Sequence, residues 1–595
     1  MEITPPSLEY ARLMPLIVVF AGACLGVLVE AVTPRSARWP VQVGLTFLTL
    51  LVAGALTVSG WSAADVGISA LGSVAVDLPT YFVWTALLVL GALSLLLFTE
   101  RRLNGGVSAF APQAAAVPGS VDEELAIRAR TEHSEVYPLA LFSLFGMMLF
   151  AAASDLLVMF VALEILSLPL YLVCALARRR RLLSQEAGLK YFLLGALASA
   201  FFLYGVAMLY GYAGSFDLAA LDAAISAGQQ STWLLLVGMA GVSIGLLFKV
   251  AAVPFHSWTP DVYTGAPTAV TAFMASCTKI AAVAALLRVF YVGLGGLRWD
   301  WQPLMALLAV LTMAVGALLA ITQTDVKRML AYSSITHAGF MLTAVTGASL
   351  SSGARDLSSV GATLFYLVAY GAASVGAFAV VTLVRDRNGE ASSLDDWAGL
   401  GRRHPWLAGA FSVFMLSFAG IPLTSGFIAK VSVFESAWSG GYAWLVVVGV
   451  VLSLLAAYFY LRVIVTLFFA DPRPRAAAVT TDAGTTAPTG EPDPTTGAGP
   501  AGPAAAGPTA EAAQPGAGAL SVATRSEEGA AAPAEETSVT STASRPELGA
   551  GEVGVGRAGV ATYAAVAVAV ALTVVFGLVP GPLLELALQA SVFLR

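Results

Sequence analysis

The chain has 595 residues, of which 58% are hydrophobic and only 11% charged. An ordinary soluble domain carries roughly 25% charge, so a soluble globular enzyme is excluded and a polytopic membrane protein is expected. The formal net charge of −6 misleads, because residues 471–556 alone hold 11 acidic and 4 basic residues; the remainder is close to neutral, at +1.

In chain order, apolar runs long enough for a hydrocarbon core of ~30 Å fall at about 12–29, 41–59, 79–98, 137–153, 156–177, 189–211, 232–250, 268–291, 303–321, 329–348, 359–384, 406–438, 443–469 and 558–592. That is about fourteen transmembrane helices in an all-α fold. The last run carries Pro580, Gly581 and Pro582, which suggest a break. The first is long enough to span and lacks a small-residue cleavage site, so no cleavable signal peptide is expected. Cys24, Cys174 and Cys277 lie singly inside apolar runs, which argues against a disulfide framework or a cysteine-held metal or cluster. No Gly-rich fingerprint, metal-spaced His pair or nucleophile elbow appears. The chain is therefore expected to hold no cofactor or metal and to bind no nucleic acid.

Arg and Lys concentrate in alternate connections: Arg35 and Arg38; Arg101, Arg102, Arg128 and Arg130; Arg178 to Arg181; Lys327 and Arg328; Arg385, Arg387, Arg402 and Arg403. Asp65 and Asp77, Asp155, and Asp217 and Asp222 mark the intervening ones. The basic set should face the cytoplasm, with both termini outside. Residues 471–556 are rich in Pro, Ala, Gly, Thr and Ser and have no aromatic residue, so they should form a disordered cytoplasmic linker. Asn104 to Ser120 has a similar composition and is expected to be flexible. The resulting division is an N-terminal three-helix segment (1–136), a core (137–470), the linker (471–556) and a C-terminal span (557–595).

Charges inside apolar runs carry the functional signal, since each costs ~2.5–3.5 kcal/mol or more at a helix centre. Only five of the 31 basic residues are lysines, yet Lys249, Lys279 and Lys430 all sit in apolar runs. Burial can bring a lysine towards neutrality, whereas arginine keeps its proton in any protein setting. Glu164 lies nine residues after Asp155, ~14 Å into its run, and is the one clear carboxylate deep in a span, so a lysine should sit near it. Lys279 is twelve residues beyond Pro267, again near mid-membrane. Lys430 follows the interruption Gly420 to Gly426, and Lys249 lies five residues before Pro254. Broken helices at membrane depth mark ion or substrate sites. For any one of these charges, a helix-locking pair is an equally good reading; three lysines and a glutamate on four spans favour proton transfer. His256 and His337 are placed at the cytoplasmic edges of their spans, as relays or as histidines held by a backbone carbonyl. Lys327 and Arg328 read as orientation charges, and Lys190 as a snorkelling lysine.

The stretch from Phe248 to Thr268, FKVAAVPFHSWTPDVYTGAPT, and that from Asp325 to Gly339, DVKRMLAYSSITHAG, resemble signatures of the antiporter-like membrane subunits of respiratory complex I. The resemblance covers roughly residues 135–470. It implies two inverted five-helix repeats, here about 137–291 and 303–469, each with a broken helix. It further implies that Glu164 pairs with Lys249 of the first broken helix, that Lys279 is the central lysine and Lys430 that of the second broken helix. Glu135 would match a glutamate opening the fourth span. FMN, iron–sulfur clusters and quinone would belong to partner subunits, and other membrane subunits of the complex would be neighbours in the bilayer. The expected function is proton translocation driven by electron transfer elsewhere in the complex. The alternatives are a subunit of a cation/proton antiporter and a structural membrane subunit. The long linker before the last span departs from the family pattern.

Overall fold

A computed structural model describes residues 9–471, apart from 112, 114–115, 118–119, 130–131, 229–230, 348–355 and 387–388, and residues 554–594. The linker expectation for 472–553 lies outside the described residues. Helices α1 (Tyr10–Val32) and α2 (Arg35–Ser62) form a hairpin, followed by the antiparallel strands β1 (Gly67–Ser69) and β2 (Val74–Val76) and by α3 (Leu78–Phe98). A short surface helix, α4 (Val121–Arg128), precedes α5 (Val136–Ala152), α6 (Leu156–Cys174), α7 (Arg181–Ala213), the short α8 (Leu218–Ala227) and α9 (Thr232–Val250). Next come α10 (Trp258–Gly265) and α11 (Thr268–Phe273), which runs through a π-helical turn (Met274–Thr278) into α12 (Lys279–Arg288) and a second π turn (Val289–Gly293). The remaining helices are α13 (Arg298–Ile321), α14 (Val326–Thr346), α15 (Asp356–Leu383), α16 (Leu400–Arg403), α17 (Pro405–Ala419), α18 (Ser425–Ser439), α19 (Ala443–Phe469), α20 (Val560–Leu578) and α21 (Gly581–Gln589).

Each of the fourteen apolar runs is helical. Eleven helices among the described residues are long and apolar enough to span by themselves. The other three runs depart for physical reasons: α5 has 17 residues, α14 is rich in Ser and Thr and carries His337, and the run around Lys430 is split into α17 and α18 of 15 residues each. At 1.5 Å per residue, each of those halves reaches only ~22 Å. Spans α5, α6, α7, α9–α10 and α11–α12 form one set of five, and α13, α14, α15, α17–α18 and α19 a second, each with its break in the fourth member. Five is odd, so the second set enters the membrane from the side opposite to the first, and the repeats are inverted.

Four Asp residues before helices do structural work. Asp77 accepts from the Thr80 amide, Asp155 from Leu157 and Val158, Asp217 from Ala220, and Asp325 from Arg328. Each thereby caps the helix that follows by satisfying donors of its first turn. The expectation of a flexible Asn104–Ser120 segment fails over its first part. Phe110 is fully buried beside Phe98, and the Ala111 amide donates to the Leu176 carbonyl while Ala109 accepts from Arg178.

The core centres on α11–α12 and α15, whose apolar windows are wholly buried. The last span packs on α15, α17, α18 and α3, and residues flanking α3 hold both of its ends. At one end the buried Glu100 accepts from the Gly559 amide (2.7 Å) and the Thr562 hydroxyl (2.6 Å), an anion placed where a helix N-terminus favours it. At the other end the Leu594 amide donates to Asp77 at 3.2 Å. The three residues before this span that had been assigned to the linker include β5 (Gly554–Val555). It pairs with β3 (Val384–Asp386), which also pairs with β4 (Gly389–Glu390).

Candidate functional site

Lys249 occupies the last turn of α9, which ends as Ala251 turns into the left-handed region at φ +67°. The carbonyls freed by this break are re-used locally: Phe248 accepts from the Trp258 indole at 3.0 Å, and Leu247 from the Ala252 amide. The Lys249 side chain is buried, with Nζ 5.4 Å from the Tyr171 ring and 5.2 Å from the Tyr191 ring. Those rings meet edge to face at 4.6 Å, giving the ammonium a cation–π cage. Lys249 Nζ, Glu164 Oε1 and the hydroxyls of Tyr171 and Tyr191 are all buried without a hydrogen-bond partner. Glu164 is close enough to act electrostatically on both Lys249 and Tyr171. The expected neighbours are therefore brought together, and among the described residues no ion pair joins them. Unpaired buried polar groups are costly.

Lys279 follows the π turn directly, a local irregularity that is frequent at functional sites. Its Nζ donates to the carbonyl (2.6 Å) and hydroxyl (2.7 Å) of Ser334 on α14 and lies 5.4 Å from the Tyr370 ring. Three residues further along α14, on the same face, is His337. It is not at a span edge, as expected, but eleven residues into a 21-residue helix and buried. Both ring nitrogens are engaged by hydroxyls and not by a carbonyl: Nδ1 lies 2.6 Å from Tyr366 and Nε2 3.2 Å from Tyr460, which also meets Ser333. Lys279 and Lys430 both act electrostatically on this ring.

Lys430 uses the second break. The carbonyls of Phe418 and Ala419, at the end of α17, each accept from its Nζ at 2.9 Å, and the Ser453 hydroxyl is at 2.8 Å. A helix C-terminus leaves such carbonyls unpaired and favours a cation. Gly420 closes the cradle at φ +80°. That conformation favours glycine, and a Cβ there would stand 2.8 Å from Lys430 Cδ and push the lysine side chain aside. Among the described residues neither Lys279 nor Lys430 has a carboxylate partner; oxygen dipoles hold them both.

Other expected residues lie apart from these lysines. His256 lies in the connection between α9 and α10, half-buried, with Nδ1 unpartnered. Glu135 stands just before α5, lining a surface cleft of about 890 Å³ with Glu30, Arg38 and Glu132. A hydrogen bond from His133, at 2.9 Å, holds its carboxyl below the usual range, so Glu135 stays ionised near neutral pH. Lys327 is not a surface orientation charge. It is buried, donates to the Ala266 carbonyl at 2.9 Å, and lies 3.8 Å from Glu390. Lys190 pairs with Glu186 and Asp261, and Arg328 also reaches Asp261.

Sequence reasoning missed Arg288. This fully buried residue makes a bidentate pair with the equally buried Asp77 at 2.8 and 2.9 Å and donates to Thr80 and to the Ala151 carbonyl. An Arg inside the 268–291 run was a visible signal; its partner, 211 residues away, was not. Ser334, Tyr366, Tyr460 and Ser453 were also missed. For Ser334 the i, i+3 spacing from His337 was available.

Residues 153–456 match the family model described as NADH:quinone oxidoreductase/Mrp antiporter, TM. The chain belongs to this family. Among its relatives, a protein of Nocardioides sp. named NADH-quinone oxidoreductase subunit N is 57% identical over 473 residues, covering 78% of this chain and 89% of that one. One of the same name from Rhodococcus opacus is 53% identical, covering 80% and 90%. A chain in the structure of respiratory complex I from Thermus thermophilus with bound aureothin superposes with a TM-score of 0.67 at 30% identity, covering 96% of this chain and 99% of that one. A chain of the Mrp complex from Dietzia sp. shares the fold, with a TM-score of 0.72 at 22% identity over 98% and 97%.

Proposed function

We propose that this chain is the proton-translocating membrane subunit N of an NADH:quinone oxidoreductase, in which electron transfer from NADH to quinone occurs in partner subunits that hold FMN and iron–sulfur clusters. The observation that carries the reading is the row of three buried lysines on separate spans, each seated at a helix break or π turn and none locked to a carboxylate. Lysine can shed its proton where arginine cannot. His337, with both ring nitrogens engaged, can accept a proton on one nitrogen and release one from the other. It thus joins the Lys279 site to that of Lys430. The relatives named subunit N favour this over a cation/proton antiporter, and the fold similarity to an Mrp chain keeps the antiporter as the second reading. Co-purification with FMN- and cluster-bearing subunits separates the two.

Lys279→Met is expected to leave the complex assembled, because among the described residues its ammonium hydrogen-bonds only to Ser334, and to remove most proton uptake per NADH oxidised in inverted vesicles. Wild-type pumping by Lys279→Met would sink the lysine-row reading.

The chain is placed in the bacterial plasma membrane with the Arg-rich connections cytoplasmic and both termini outside. Ser36 and Ala227 are exposed and lie on opposite sets of connections. In a background lacking the native cysteines, Ala227→Cys should react with an impermeant thiol reagent added to intact cells and Ser36→Cys should not. The reverse labelling inverts the assignment.

A further inference from the structure

We propose that Gly577, on the last span, is a positioning residue for Lys430, acting by holding the α17–α18 break in the shape whose carbonyls bind the ammonium. This rests on the reading of Lys430 as a proton carrier. The break contains a second residue in the left-handed region besides Gly420: Leu423, at φ +73°. A side chain rarely adopts that conformation, and it persists only where the surroundings enforce it. The Leu423 side chain is 69% exposed, so its own packing does not supply the constraint. What touches this backbone is α20. A Cβ on Gly577 would lie 2.5 Å from the Leu423 carbonyl oxygen and from the carbonyl carbon and Cα of Thr424, so at this position the two backbones are in direct contact.

The consequence for Lys430 follows from its partners. Its Nζ is held by the Phe418 and Ala419 carbonyls, four to five residues before the supported peptide. The intervening chain is tied back on itself, with Ile421 donating to the Leu416 carbonyl, Thr424 to that of Ile421, and the Gly426 amide to the Ser417 hydroxyl. Displacing Leu423 and Thr424 therefore displaces the cradle. The last span can bear the load because Glu100 holds its N-terminal end and Asp77 the tail beyond it. On this reading the segment after the linker is part of the second lysine's site.

The test uses the full chain in the assembled complex, in inverted vesicles. Gly577→Ala should assemble and lose proton uptake per NADH several-fold. Gly581→Ala, in the same segment but facing open space, should pump normally. Adding Leu423→Gly to Gly577→Ala should restore pumping, since glycine lets the peptide move aside at no steric cost in the left-handed region; loss of packing alone would not be rescued this way. The double variant decides the matter even if Gly577→Ala alone fails to assemble: recovery supports the proposal and its absence overturns it. Wild-type pumping by Gly577→Ala also overturns it. Lys430→Met is measured alongside. If it pumps normally, the proton-carrier reading of Lys430 falls, whereas its loss beside a normal Gly577→Ala overturns only the role of Gly577.

Discussion

Lys249→Arg is expected to assemble normally and to lose most NADH-driven proton uptake in inverted vesicles, normalised to assembled complex. Arginine preserves the charge and can still stack on Tyr171 and Tyr191, but it does not release its proton at physiological pH. Lys249→Ala removes the titrating group and should match it. The geometry predicts that neither change breaks a hydrogen bond, because among the described residues Lys249 Nζ makes none, and alanine gives up only the ring contacts. Glu164→Gln should also assemble, since no ion pair joins it to the lysine. It should reduce pumping because the lysine loses the carboxylate that acts on it across the cage. In a merely structural lysine, Arg would be the benign substitution and Glu164→Gln silent. Wild-type pumping by Lys249→Arg would mean that a fixed charge is enough there, and the carrier role would fail.

Asp77→Ala is expected to have the largest effect on stability. It strands the Arg288 guanidinium, buried along with its partner, and breaking a buried pair from one side costs about 3–5 kcal/mol. It also removes the cap on α3 that Asp77 provides to Thr80, worth about 1 kcal/mol, and the acceptor for the Leu594 amide. Against a net stability of about 5–15 kcal/mol for a folded domain, this should lower the melting temperature of the purified complex sharply or deplete the subunit from it. Arg288→Met combined with Asp77→Asn should recover much of the loss. Methionine removes the buried charge, and asparagine keeps a capping oxygen. Pairs of this kind are often replaceable as pairs but not singly. An Asp77→Ala complex that melts like the wild type would show that the pair contributes nothing net.

The spans, their approximate number and the two breaks were determined by the sequence itself. Hydrocarbon thickness fixes how long an apolar run must be, and the Gly420–Gly426 interruption and Pro254 cannot continue a helix. The same local logic singled out Lys249, Lys279, Lys430 and Glu164, because a charge inside an apolar run is costly wherever the run folds. What each charge meets was decided only by tertiary structure. Lys279 is held by a serine 55 residues away and Lys430 by the broken end of its own span. His337 lies mid-helix between two tyrosine hydroxyls, and Lys327 is buried where orientation rules would put it at the surface. Arg288 finds its carboxylate in the turn before α3, beside the tail of the last span. Local periodicity reports how far a residue lies along its own helix. Which oxygen or ring lies opposite depends on how distant helices are rotated and packed, and that follows from close packing of the whole set.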